Sequence, residues 1–127
     1  MKEAISSPHA PKAIGPYSPA IRAEGWVYVS GQIPIDPATG NLVQGDISAQ
    51  TTQVMKNLKA LLEAAGSGFD QVVKTTVYLK SMNDFTAMNE IYGRHSAAAA
   101  PARATVEVSR LPKEALVEID VVALVRK

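Results

Sequence analysis

Residues 46–66, Asp46-Ile47-Ser48-Ala49-Gln50-Thr51-Thr52-Gln53-Val54-Met55-Lys56-Asn57-Leu58-Lys59-Ala60-Leu61-Leu62-Glu63-Ala64-Ala65-Gly66, are followed closely by Val72-Val73-Lys74-Thr75-Thr76-Val77-Tyr78-Leu79. In the first run Ile47, Thr51, Val54, Leu58, Leu61, Leu62 and Ala65 recur at helical spacing; Asp46 stands where an N-cap belongs and Gly66 supplies the stop. Lys56 and Lys59 fall off that stripe, which reads as core. The second run is β-branched with one tyrosine and reads as a strand. A helix with one apolar face beside such a strand calls for a helix layer on a sheet.

The flanking sequence extends this pattern in both directions. Pro8, Pro11, Pro16 and Pro19, with Gly15, keep residues 7–19 out of any central strand, and Tyr17 sits between two of these prolines. Trp26-Val27-Tyr28-Val29-Ser30 reads as a strand ended by Gly31-Gln32. Ile33 to Val43 reads as a turn, with Pro37, Gly40 and a local capping role for Asp36. Downstream, the spacing of Phe85, Met88, Ile91, Tyr92 and His95 predicts a second helix from Asn83 to Ala98, capped by Asn83 and weakened by Gly93; Pro101 biases Ala100 away from it. Strands are expected over 104–109 and 118–125, joined by Arg110 to Leu116. The whole is one α+β domain over residues 1–127, with both helices on one face of the sheet.

Alternation sorts the last two strands into faces. Ala104, Val106 and Val108 share one face of the first, and Ile119, Val121, Ala123 and Val125 one face of the second; the helices are expected to cover these apolar faces. Arg103, Thr105 and Glu107 fall opposite, as do Glu118, Asp120, Val122 and Leu124. A face part charged and part apolar suits an interface with another subunit, or a cover supplied by the same chain. Paired as a simple hairpin, the two strands hold Arg103 and Glu118 roughly 20 Å apart. The two then serve one small ligand only if Glu118 comes from a neighbouring protomer.

Composition narrows the classes. The 127 residues carry a formal charge of +1 and no cysteine. That excludes disulfides and thiolate chemistry and gives no electrostatic footprint for nucleic acid or an anionic membrane. No apolar run reaches bilayer length, and Met1 to Ser6 lacks the apolar segment of a signal peptide, so a cytoplasmic location is expected. His9 and His95 stand apart and make no metal site, and Gly66 and Gly68 lack a phosphate-loop signature. No metal and no cofactor is expected.

Pro101-Ala102-Arg103-Ala104-Thr105-Val106-Glu107-Val108 carries the chemistry. A guanidinium behind a stiff proline is shaped to hold a carboxylate with two parallel hydrogen bonds; the plain alternative is a surface arginine paired with Glu107. Glu118 is either a general base at a subunit seam or the partner of Arg110 or Lys113 in a salt bridge. Tyr17 either offers its phenol to a ligand or packs in its loop. Ser30 and Gly31 end a strand where polar groups can face a cleft; Ser30 lacks the histidine and acid a nucleophile needs. Asn89 falls off the apolar stripe of the second helix and is a polar helix residue or a ligand contact.

Four blocks, Gly15-Pro16-Tyr17-Ser18-Pro19-Ala20, Ser30 to Gly40, Pro101-Ala102-Arg103, and Leu111 to Ile119, together resemble the Rid family, also called the YjgF or reactive-intermediate-deaminase family. The resemblance covers nearly the whole chain. It implies a chorismate-mutase-like fold with two helices on a mixed sheet, and a homotrimer with clefts between subunits. It implies hydrolysis of 2-imino and 2-enamino acids, such as 2-iminopropanoate and 2-iminobutanoate, to 2-oxo acids and ammonia, without a cofactor. By the same resemblance Arg103 binds the substrate carboxylate, Glu118 acts on the attacking water, and Tyr17, Ser30, Gly31, Asn89 and Thr105 line the cleft. Ala100 departs from the bulky aromatic frequent in the family, which opens the question of substrate size. A non-catalytic sensor of small carboxylates on the same fold uses Arg103 equally; only the hydrolase needs Glu118. A nuclease reading, known for some relatives, meets no charge or histidine pair to support it.

Overall fold

The computed structural model describes residues 1–96 and 99–127. In chain order the elements are β1 (Lys2–Ile5), β2 (Ala20–Ala23), β3 (Trp26–Gln32), β4 (Ile35–Asp36), β5 (Asn41–Leu42), α1 (Ile47–Ala64), β6 (Val72–Leu79), α2 (Phe85–Gly93), β7 (Ala102–Glu107) and β8 (Val117–Leu124). One mixed sheet has the order β1-β2-β3-β8-β6-β7; only β6 and β7 run parallel. β4 and β5 form a separate ribbon. Both helices pack on one face of the mixed sheet, so the α+β expectation holds.

α1 begins where Asp46 accepts a hydrogen bond from the Ala49 amide at 2.9 Å and is followed by Gly66 at φ +79°, a conformation glycine adopts without strain. Its stripe of Val54, Leu58, Leu61 and Leu62 lies buried against Val27, Val29, Val77, Ile119 and Val121. Full burial of such side chains contributes about 1.5–3 kcal/mol each. The buried face also carries amides. Asn57 donates to the carbonyls of Ile33 (3.3 Å) and Ile35 (2.9 Å), and Gln50 donates to Val43 and accepts from the Leu116 amide. These bonds tie the loops at one end of the sheet to the helix.

Several details differ from the sequence reading. β1 and β2, short strands that no long apolar run announces, extend the sheet beyond β3, with β1 at its edge. The second helix is shorter. A 3-10 turn, Met82–Asp84, precedes it, and Ser81 rather than Asn83 supplies the capping oxygen, accepting from the Asn83 amide at 3.2 Å. Ala97 and Ala98 lie outside the described residues. The expected hairpin between the last two strands does not form, because β6 lies between β7 and β8. α2 carries the chain from β6 to β7, and a helical crossover of this kind joins parallel neighbours. Helix coverage of β7 is also reversed. α2 covers the side bearing Arg103 and Thr105, while Ala104 and Val106 face outward. On β8 the expected face, Ile119, Val121 and Ala123, is the buried one.

Removing the Asn57 amide strands two loop carbonyls away from water. Asn57→Ala is expected to cost about 2–4 kcal/mol, read as a lower denaturation midpoint in urea; an unchanged midpoint would show that the loop carbonyls find other partners.

Candidate functional site

The residues singled out by the sequence fall into two groups. The first lies between α2 and β7. Arg103 and Thr105 are two apart on β7 and so share its helix-side face. Phe85, Asn89 and Tyr92, spaced by four and three, share a face of α2. The Arg103 guanidinium carbon stands 5.6 Å from the Phe85 ring centre and 4.9 Å from that of Tyr92. Among the described residues it has neither an ion pair nor a hydrogen bond. Glu107, its supposed partner, instead accepts from the Met82 amide at 2.7 Å. Asn89 Oδ1 and Thr105 Oγ1 are buried with no hydrogen-bond partner among the described residues. Buried polar atoms without partners are rare, and water or a bound ligand can satisfy them.

The second group lies where β3 meets β8. From Val29 to Gln32 is three steps along β3, facing two steps from Val121 to Ile119 on β8: a β-bulge at Ser30 and Gly31. The bulge carries Gly31 past Glu118, whose carboxylate occupies the space a Cβ at position 31 would take. A side chain at position 31 would force the Glu118 carboxylate to move. Ser30 is tied down on both sides: its hydroxyl donates to Ser18 O at 2.6 Å and its amide to Pro19 O at 2.9 Å. These bonds hold the proline-rich loop against the strand, and so place Tyr17. The Tyr17 phenol oxygen accepts from the Ile14 amide at 3.2 Å, which leaves its own proton free to donate. Lys12, Ile14, Tyr17, Gly31, Ile33 and Ile35 line one small cavity.

Glu118 forms no salt bridge with Arg110, which pairs with Glu114. Burial, and secondarily the charge of Asp120, pushes the Glu118 carboxyl above the ordinary glutamate value. Asp120 in turn accepts from the Tyr78 hydroxyl at 3.0 Å. The sequence reading passed over Asp120, Tyr78, Phe85, Tyr92 and Thr75. Alternation alone places Asp120 beside Glu118, but the others meet the site only through the sheet order.

The two groups do not meet within one chain. Arg103 is level with Thr75 and Val121, whereas Glu118 is level with Tyr78, three rows on and two strands across. That separation is about 10 Å in each direction. The roughly 20 Å expected from a hairpin is thus revised, and Arg103 projects to the helix side while Glu118 projects to the opposite face. That opposite face carries Trp26 (39% exposed), Tyr28 (49%), Val106 (41%) and Leu124 (37%), with Val122 half-buried among them. No helix or loop of the same chain covers it among the described residues.

The family model for endoribonuclease L-PSP matches residues 7–125. A RutC family protein of Pyrococcus horikoshii is 57% identical over 97% of this chain and 98% of its own. The human 2-iminobutanoate/2-iminopropanoate deaminase is 45% identical over 98% of this chain and 90% of its own. Among solved structures, the Rid family protein YyfA of Yersinia pestis superimposes with a TM-score of 0.96 at 52% identity, over 98% of this chain and 100% of its own.

The contact between Gly31 and Glu118 can be tested by a double substitution. Gly31→Ala is expected to lose about 1–3 kcal/mol by overpacking. Adding Glu118→Ala is expected to return most of that loss in thermal melts, because the obstructing carboxylate is gone. Equal losses in the two backgrounds would show that the methyl meets something else.

Proposed function

Since the chain belongs to the YjgF/Rid family, we propose that it hydrolyses small 2-imino acids, and their 2-enamino tautomers, to 2-oxo acids and ammonia. The active form is a homotrimer whose clefts each join the Arg103 group of one protomer to the Glu118 group of the next. The observation that carries this reading is the separation of the two groups onto opposite faces, beside an uncovered apolar sheet surface. The human relative bears the name of the same activity. The domain is one unit over residues 1–127 and acts in the cytoplasm on a free metabolite.

The chemistry asks little of the protein. Arg103 holds the carboxylate by a bidentate charge-assisted hydrogen bond and so fixes the adjacent imine carbon. Glu118 accepts a proton from water as the oxygen attacks that carbon. The C=N electron pair passes to the protonated imino nitrogen, giving a neutral amino alcohol. Glu118 then returns its proton to that nitrogen, the C–N bond breaks to release ammonia, and the hydroxyl proton passes to the Glu118 carboxylate or to solvent as the carbonyl of the 2-oxo acid forms. Tyr17 donates its phenol proton to the water or the developing oxygen. Asn89 and Thr105 give the imino nitrogen and its proton hydrogen-bonding partners. Ser30 and Gly31 shape the wall, and Ser30 serves by position rather than as a nucleophile. The formal charge of +1 supplies no surface for the polyphosphate backbone of RNA, which disfavours nuclease chemistry.

A raised carboxyl pKa has two consequences of opposite sign. For activity, Glu118 must be ionised, so the acid limb of kcat/KM is expected above the ordinary glutamate range of about 4.3. For stability, folding favours the protonated carboxyl; that contribution is complete below the unfolded pKa and is lost as pH rises through the folded one. Glu118→Gln is therefore expected to melt higher than the parent at neutral pH while losing about 10²–10⁴-fold in turnover. Unimpaired turnover by this variant would remove Glu118 from the mechanism and favour the sensor reading.

Arg103→Ala is expected to weaken substrate binding by about 1.5–3 kcal/mol, roughly 10- to 150-fold in KM. The decisive experiment mixes the two defects. Refolded together in equal amounts, Arg103→Ala and Glu118→Gln chains are expected to recover about a quarter of parental activity on 2-iminobutanoate, because each cleft draws its two groups from different protomers. Light scattering should give three times the 13.5 kDa chain mass. A monomer, or mixtures no more active than their components, would refute the shared cleft.

A further inference from the structure

We propose that Tyr92, anchored by Thr75 and assisted by Phe85, is a positioning residue that fixes the plane of the Arg103 guanidinium before a ligand arrives. The inference rests on the carboxylate-binding role given above to Arg103. Its grounds are geometric. The Tyr92 hydroxyl and Thr75 Oγ1 are 2.8 Å apart, and Thr75 is the residue level with Arg103 across the β6–β7 pair. The same strand position therefore sets the backbone of the arginine and the anchor of the ring that faces it. Thr75 is buried, which gives this hydroxyl pair few other partners.

Tyr92 also borders a cavity of about 20 Å³, with Met55, Leu58, Phe69 and Val72. Packing is incomplete along such a border, so the hydroxyl bond to Thr75 adds a constraint on the ring's tilt. Phe85 flanks the same guanidinium at 5.6 Å. Aromatic faces attract a guanidinium without using any of its N–H donors. A carboxylate partner would fix the arginine too, but it would consume the donors the ligand needs. The clamp orients Arg103 and leaves its fork vacant.

The experiment reads orientation and binding separately. In the ¹⁵N spectrum of the parent, Arg103 Nε–H is expected as a resolved, ring-shifted signal that moves on addition of 2-oxobutanoate. Tyr92→Leu should collapse that signal toward the free-arginine position and weaken 2-oxobutanoate binding by at least about tenfold, with kcat on 2-iminobutanoate changed much less than KM. Tyr92→Phe and Thr75→Val, which each lose one hydrogen bond, should weaken binding by about two- to tenfold. Their double variant should be no worse than either alone, and Thr75→Ser should restore the KM lost in Thr75→Val. An unmoved Arg103 signal in Tyr92→Leu, parental affinity in that variant, or equal damage from Thr75→Ser and Thr75→Val would each overturn the proposal. A parent that binds 2-oxobutanoate through Arg103 yet leaves 2-iminobutanoate untouched would remove the hydrolase reading and leave the clamp standing.

Discussion

The two-residue repeat of a β-strand governs what this chain can do alone. Side chains on β7 and β8 must point to one face or the other, and the order β8-β6-β7 fixes which rows align. Arg103 belongs to the row of Thr75 and Val121, on the side packed by α2. Glu118 belongs to the row of Tyr78, on the side without helices. No rotamer carries either group through the sheet. A small acid held by Arg103 therefore stays out of reach of Glu118 in the same protomer, and any joint action needs a second copy. The exposed row of Trp26, Tyr28, Val106 and Leu124 on the Glu118 side is the surface such a copy would cover.

The bulge at Ser30 and Gly31 shows how a local departure from regularity is used. A regular β3 would set a side chain against Glu118; the extra residue, and the missing Cβ, make a socket instead. The socket has a cost, because partial burial beside Asp120 raises the energy of the ionised carboxyl. The Tyr78 hydroxyl, donating to Asp120, offsets part of the repulsion between the two carboxylates. The socket thus gives up some stability and raises the proton affinity of the Glu118 carboxylate.

Legibility followed the range of the interactions. α1 was readable because cap, stripe and stop are all local: Asp46, Leu58 and Gly66 lie within one segment. β6 was readable from its β-branched run. β1 and β2 were not, since these four-residue strands hold their place by pairing, β1 with β2 and β2 with β3, rather than by their own pattern. Two strands adjacent in sequence suggest a hairpin, but the helix between β6 and β7 is the competing signal, and it sets β7 parallel to β6. Arg103, Glu118, Tyr17, Ser30 and Gly31 lie within four sequence blocks, whereas Asn89 and Thr105 lie outside them and follow only from the family resemblance. Their division into two groups could not be read from the sequence, because it depends on sheet order. Tyr92 and Thr75 carry no motif at all, and only the register between β6 and β7 brings them to Arg103.

The same register explains why an aromatic clamp suits this arginine better than an ion pair. An acidic neighbour on the helix side would gain from pairing with Arg103 and would compete with every anionic ligand for the same donors. Glu107, on the same face of β7, is instead engaged by the Met82 amide at the start of the turn into α2. The guanidinium is left between rings that orient it without neutralising it. A guanidinium held in this way is preorganised for a small carboxylate, with little reorganisation needed. On the function proposed above, turnover requires in addition the Glu118 carboxylate of a neighbouring protomer.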